Sequence, residues 1–268
     1  MPHLPRQRPR LPAAVSLCLT ILCAALFSSA ALLSCAAMTA SISRAWAAPR
    51  QDEPRFVAPP AGETPEAAAL IGKAQSALSA GRATAEILAD PVYMPVHAHT
   101  RFRTLIRDNA RSPKTVLVTP QEPGEPLEVT GIVRDAAGRP SAGTLIYVYQ
   151  TSAKGWYSDL APHLSGMGGD TGHARLFGYM TTGSDGGYQF RTVRPAGYPR
   201  SDLPAHIHVH IDPPAGAGRP LVTEIQFEDD ARLTKEWRER SRADGFVITT
   251  PRRDAAGLWH VTAEFTLR

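Results

Sequence analysis

The sequence predicts a mainly β protein: an antiparallel β-sandwich core, a helical N-terminal extension and one short helix near the C-terminus. Three observations carry that expectation. From about Leu127 onward, apolar and polar residues alternate with a period of two, as half-buried strands require. Gly- and Pro-rich turns, AAGRPSAG and GSDG among them, separate these segments at short intervals. Almost no helical periodicity lies between them, which argues against a parallel sheet with crossover helices.

In chain order, residues 1–47 read as an export signal. MPHLPRQRPR carries Arg6, Arg8 and Arg10 with no acid, an apolar run follows to Met38, and Ala45 and Ala47 supply a small-x-small cleavage pattern. The protein is therefore expected to be exported, periplasmic or extracellular. Two alternatives stay open: an uncleaved membrane anchor, given the length of the run, or lipidation at Cys35 in LLSCA. Only in either of those cases is a membrane expected as a partner. The leader's arginines, Arg44 included, account for the whole formal charge of +4, so the remainder is near neutral and gives no reason to expect nucleic acid. All three cysteines also lie in this leader, so a metal in the mature chain must use His, Tyr, Asp or Glu.

Residues 48–63, proline-rich and polar, read as a flexible tether. Residues 64–120 form the helical extension. Thr64 and Pro65 suit a helix start, Gly72 and Gly81 suggest an interruption, and a second short helix is expected around Arg101 to Ala110. Residues 121–268 form the sandwich domain. Its strands are LEVTGIVRD, TLIYVYQTS, RLFGYMTT, GYQFRTVRP, AHIHVHID, LVTEIQFE, FVITT and WHVTAEFTLR, with KEWRERSR as the late helix.

The chemistry concentrates in GYPRSDLPAHIHVHIDPP. On a strand, alternate side chains share a face, so His206, His208 and His210 present three imidazoles in a row, with Tyr198 nearby. With no thiolate available, a metal here would see imidazole and phenolate. A free phenol ionises near pH 10, so a phenolate at neutral pH needs a strong Lewis acid beside it, and Fe(III) is the natural partner. Zinc or copper on all three histidines is the alternative.

The stretches VTGIVRDAAGRPSAGTLIYVYQTSAKGWY, TTGSDGGYQFRTVRPAGYP and PAHIHV closely resemble the intradiol ring-cleavage dioxygenases, the non-haem Fe(III) enzymes that include protocatechuate 3,4-dioxygenase and catechol 1,2-dioxygenase. The resemblance covers roughly residues 100–230. It implies one Fe(III) per chain, held by Tyr157 of GWY, Tyr198 of RPAGYP, and His206 and His208 of HIH. It further implies that Tyr157 and His206 stay bound, that Tyr198 is the axial ligand displaced by substrate, and that His208 lies opposite. On this reading Tyr157 and Tyr198 are also the catalytic residues. The implied reaction cleaves a catechol-type aromatic diol with O2 to a cis,cis-muconate-type diacid, and a homodimer is the implied assembly. Two positions depart from the family pattern: Leu203 stands where many members have arginine, with Arg200 displaced by three residues, and Glu224 stands where glutamine is frequent.

Blander readings accompany these. His210 is expected beyond the ligand sphere. His97 and His99 in PVHAHT read as a surface pair near a helix start, His163 and His173 as loop residues, and Trp156, Tyr147, Tyr149, Tyr179 and Tyr188 as packing residues. RTVRP reads as a solvated strand end. VTGIVRDAAGRPSAG with its hairpin also looks like an exported, non-catalytic transthyretin-like binding or spacer module. The ligand constellation separates the two, because a spacer has no reason to contain it.

Overall fold

The computed structural model describes residues 63–159, 169–215 and 218–268. The export signal at 1–47, residues 48–62 of the tether, and His163 lie outside the described residues.

The extension opens with α1 (Pro65–Ser79), where the Thr64 hydroxyl caps the Ala67 amide at 3.2 Å and Pro65 takes the first turn. The helix runs through Gly72 and stops before Gly81. Next come α2 (Thr84–Ala89), a 3-10 turn at Pro91–Val96 and α3 (Thr100–Asp108). The strands are β1 (Lys114–Val116), β2 (Pro126–Arg134) and β3 (Leu145–Gln150), then after α4 (Gly169–His173), β4 (Leu176–Thr181), β5 (Gly187–Val193), β6 (His206–Asp212) and β7 (Leu221–Phe227). Helix α5 (Lys235–Ala243) precedes β8 (Val247–Thr249), β9 (Arg252–Arg253), β10 (Trp259–Thr262) and β11 (Phe265–Thr266).

Two sheets result. One has the order β1-β5-β2-β10-β9, with β11 also on β2, and the other has the order β4-β3-β6-β7-β8. The pairs β2–β5, β3–β4, β3–β6 and β6–β7 are antiparallel, whereas the GSDG turn carries the chain from β4 in one sheet to β5 in the other and closes no hairpin. The short strands β1, β8, β10 and β11 add in parallel. The terminal segment WHVTAEFTLR, expected as one strand, divides at Ala263, whose carbonyl accepts from the Tyr188 hydroxyl at 2.7 Å.

Leu127, Val129, Ile146, Val148, Phe190, Ile207, Val209, Ile211 and Ile225 fill the space between the sheets, all fully buried. Each such side chain contributes roughly 1.5–3 kcal/mol relative to exposure. The alternation of β6 follows directly: Ile207, Val209 and Ile211 point into this core, so the three histidines take the opposite face. That outer face is itself covered. A second apolar cluster joins Ile71, Ile87, Leu88, Phe102 and Ile106 of the helical segment to Tyr147, Tyr149 and Phe177 of the sheet, and Tyr157 and Tyr198 belong to it.

Arg103 of α3 ties this second layer together from a buried position. Its guanidinium donates to the carbonyls of His97 (3.2 Å), Ala174 (3.0 Å) and Thr171 (2.9 Å), bonds the Tyr147 hydroxyl, and lies 3.8 Å over the Phe177 ring. The carbonyls, the hydroxyl and the ring face replace the water that the cation gives up.

His97 is not the surface residue expected. It is 1% exposed, stacked on Phe102, and its Nδ1–H donates to the Arg175 carbonyl at 2.9 Å. Only His99, at the start of α3, stays half-exposed. Burial first, then the charges of Arg103 and Arg175, hold the His97 imidazole down at about 4 against an ordinary value of 6.5. A histidine kept neutral in this way contributes stability that is fully present above pH 6.5 and is lost as pH falls through about 4. The linkage is on the order of 3 kcal/mol. Urea midpoints are therefore expected to fall more steeply from pH 6.5 to 4 in the native chain than in His97→Gln, and equal slopes would contradict this.

Candidate metal centre

The loop after β3 carries Tyr157, the loop between β5 and β6 carries Tyr198, and the first half of β6 supplies His206 and His208. Local bonds draw the two loops together. The Thr151 hydroxyl donates to the Ala196 carbonyl at 2.7 Å, and the Ala196 amide donates to the Ser152 carbonyl at 3.1 Å. Gly155, at φ +77°, then packs directly on Gly197; a Cβ there would sit 2.4 Å from the Gly197 carbonyl oxygen. Each ligand loop thus contributes a glycine to the contact that brings its tyrosine inward.

The result is a convergence of four donor atoms. Tyr157 Oη lies 2.6 Å from Tyr198 Oη and 2.8 Å from His208 Nε2, Tyr198 Oη lies 2.9 Å from His206 Nε2, and the two Nε2 atoms are 3.1 Å apart. The imidazole proton of His206 can be placed. His206 Nδ1 is 2.8 Å from the Pro204 carbonyl, which can only accept, so Nδ1 carries the proton and Nε2 turns a lone pair inward. His208 turns Nδ1 toward Glu224 Oε1 at 3.6 Å and Nε2 toward Tyr157 Oη. Two imidazole nitrogens this close, beside two phenol oxygens, suit a shared cation. The donor set therefore fits a metal ion that prefers imidazole and phenolate.

Burial shapes the phenols. Tyr157 is 1% and Tyr198 9% exposed. Desolvation pushes both phenols well above their ordinary range, and the nearby charge of Asp170 reinforces the shift. Left to themselves both stay protonated at neutral pH, so taking up a cation must release protons.

Glu224 forms a tight group with the two histidines, their ligand atoms all within 4.8 Å of one another. Its carboxylate, however, lies beside Nδ1 of His208, the nitrogen that faces away from the tyrosines, so it orients the ring from behind. Glu224 Oε2 accepts from Gln226 Nε2 at 3.2 Å, and Gln226 Oε1 accepts from the Ser241 hydroxyl of α5 at 2.7 Å. This chain from helix to histidine was not apparent in the sequence. Neither was the role of Tyr149, which stands opposite His208 in the β3–β6 register and stacks on it at 4.4 Å. His210 rests against the edges of Tyr147 and Tyr149 instead of joining the donors. Leu203 is packed against the apolar second layer, and Arg200 is exposed in a tight turn at φ 58°. His173 ends α4, and Trp156 is half-buried. In RTVRP, the expected solvated strand end, Arg194 makes a two-pronged pair with Asp229 at 2.9 and 2.7 Å and lies 4.6 Å over Trp259.

Comparison with known proteins adds an independent line. The Dioxygenase family profile matches residues 102–268. The chain is 32% identical over 141 residues to a chlorocatechol 1,2-dioxygenase of Rhodococcus opacus, covering 46% of this chain and 52% of that protein. It is 26% identical over 157 residues to a catechol 1,2-dioxygenase of Acinetobacter lwoffii, covering 53% and 48%. The chain thus spans about half the length of the curated relatives it matches. Among solved structures, the dioxygenase domain of a dioxygenase–carbohydrate-binding fusion from Streptomyces sp. SirexAA-E is 28% identical, covers 59% of this chain and 88% of its own, and has a TM-score of 0.44.

Proposed function

The chain belongs to the intradiol dioxygenase family, matched over residues 102–268, and on that footing we propose that it cleaves a catechol-type diol with O2 between the two hydroxylated carbons. Both oxygen atoms enter the product, a cis,cis-muconate-type diacid, so no external reductant is required. The observation that carries the reading is the ring of contacts Tyr157–Tyr198–His206–His208–Tyr157, each 2.6–3.1 Å between donor atoms.

These four residues would hold one Fe(III). When bound, iron supplies Lewis acidity that ionises the diol and makes its ring reactive toward O2. The remaining work belongs to the chain. Burial gives the Tyr198 oxygen a higher proton affinity than a free phenol, so a diol that displaces it can leave a proton on Tyr198 Oη. Tyr157, buried more deeply and bonded to both Tyr198 and His208, keeps its place. Glu224 and the ring of Tyr149 fix His208, while the Pro204 carbonyl fixes His206. The apolar layer from α1 to α3 backs the site and keeps water from its inner side.

One position bears on the ring substituents: Leu203 offers an apolar side chain, which gives a carboxylated ring no cation there. The proposed substrates are catechols with neutral substituents, met after export of the chain beyond the cytoplasm. A transthyretin-like spacer has no use for four convergent donors, three of them buried and His208 half-buried. The test begins with protein from the periplasmic fraction, whose mass reports removal of residues 1–47. Reconstituted with Fe(III), it should show a tyrosinate-to-iron band and take up O2 faster with catechol than with protocatechuate. A protein that stays colourless and iron-free would overturn the metal reading. A preference for protocatechuate would overturn the substrate class.

A further inference from the structure

The turn after β7 is anchored to the ligand loop at three points, and none of those anchors touches a donor atom of a candidate ligand. Its residues are Asp229, Asp230, Ala231 and Arg232. At the near end, Asp229 pairs with Arg194, just before the loop that carries Tyr198. At the far end, Asp230 Oδ2 accepts the Ala205 amide at 2.6 Å, one residue before His206. The other oxygen of the same carboxylate accepts the Arg232 amide at 2.8 Å. Arg232 then turns its guanidinium back, and Nη1 donates to the Tyr198 carbonyl at 3.3 Å.

The fit of Arg232 against the loop is close. A Cβ on Gly197 would lie 2.1 Å from Arg232 Nη1 and 2.9 Å from the Leu203 carbonyl oxygen. Gly197 therefore leaves room for the guanidinium beside the backbone of Leu203 and Tyr198. A charged donor on a neutral carbonyl, reached by a long and half-buried side chain, is a directional but adjustable hold. The Asp230 bond to Ala205 is shorter and made by a short side chain, so it is the stiffer of the two.

We infer that Asp230 and Arg232 are positioning residues that set the separation of Tyr198 from His206, Asp230 fixing the histidine end and Arg232 returning the tyrosine to one place. The inference rests on the proposed function for its chemistry, because the hold matters most if Tyr198 leaves a bound metal when substrate arrives. An incoming diol competes with Tyr198 for the same position. Loosening the tyrosine alone should make that competition easier for the diol while leaving Tyr157, His206 and His208 in place.

The experiment compares Arg232→Leu, Arg232→Lys and the native chain, each loaded with Fe(III) and titrated anaerobically with 4-nitrocatechol. Arg232→Leu is expected to keep the native iron content, to show an altered tyrosinate band, and to bind 4-nitrocatechol several-fold more tightly. Arg232→Lys should restore the native band and Kd in large part. In the iron-free chains, amide hydrogen exchange over residues 197–205 should quicken in Arg232→Leu and stay unchanged in β3 and β6. A native band, native Kd and native exchange in Arg232→Leu would overturn the inference. So would loss of iron and of melting temperature in both variants alike, which marks a merely structural arginine. If the native chain itself takes up no iron, the proposed function has failed instead, and the exchange comparison still decides whether Arg232 holds the loop.

Discussion

His206→Ala is expected to abolish iron retention, with Tyr157→Phe doing the same, while both variants keep the native fold. His206 is buried, its Nδ1 is tied to the Pro204 carbonyl, and its Nε2 stands 2.9 Å from Tyr198 Oη and 3.1 Å from His208 Nε2. Alanine removes one of the converging donors and opens a gap that the stiff start of β6 cannot close. Loss of a residue that only orients a ligand costs about 10–100-fold in metal affinity, so loss of a ligand should exceed about 100-fold. Tyr157→Phe acts differently: it keeps the ring in the apolar layer but deletes the oxygen that bonds both Tyr198 and His208. Because Ile207 and Val209 hold β6 in the core from its other face, thermal unfolding should change little. Metal analysis after desalting, read beside the visible band, checks both variants. Full iron and native colour in either one would show that the ligand set is wrong.

The part of the site written locally was legible in the sequence. HIHVHID encodes its own geometry: isoleucine and valine claim the core face by a period of two, and the imidazoles must take the other. Turn chemistry likewise marked most strand ends, and KEWRERSR formed the expected helix at Lys235–Ala243. What stayed hidden depends on pairing register and on side chains far apart in sequence. Tyr149 reads as one more strand tyrosine until β3 is laid against β6 with Tyr149 opposite His208. Gln226 and Ser241 become partners only when α5 folds back on β7. PVHAHT does not announce that His97 will be buried, because Phe102, five residues on, covers only one face and the rest of the cover comes from Phe177, eighty residues on, and from the carbonyl of Arg175. The outer face of the histidine-bearing sheet would be wet in an isolated sandwich, and it is the helical extension that turns it into an interior.

Gly155→Ala is expected to weaken iron binding by about 10–100-fold without touching any ligand. Two effects act together at this position. The backbone holds φ +77°, where a side chain costs roughly 1–2 kcal/mol in left-handed geometry. The added methyl would also stand 2.4 Å from the Gly197 carbonyl oxygen and 3.1 Å from Pro199 Cδ, so a backbone segment and not a pliable side chain must give way. Gly197 directly precedes Tyr198, and Gly155 lies two residues before Tyr157, so the displacement acts on the 2.6 Å separation of the two phenol oxygens. Gly143→Ala supplies the matched control. It carries a similar strain at φ +70°, yet its methyl would meet only Pro214 Cγ at 3.8 Å, at a turn leading into β3 and away from the donors. Both variants should lose a comparable amount of stability to backbone strain, but only Gly155→Ala should lose iron and shift the tyrosinate band. Native iron affinity in both would mean that the contact between the loops does not set the donor geometry. Equal loss in both would mean that iron binding follows global stability, whatever the spacing of Tyr157 and Tyr198.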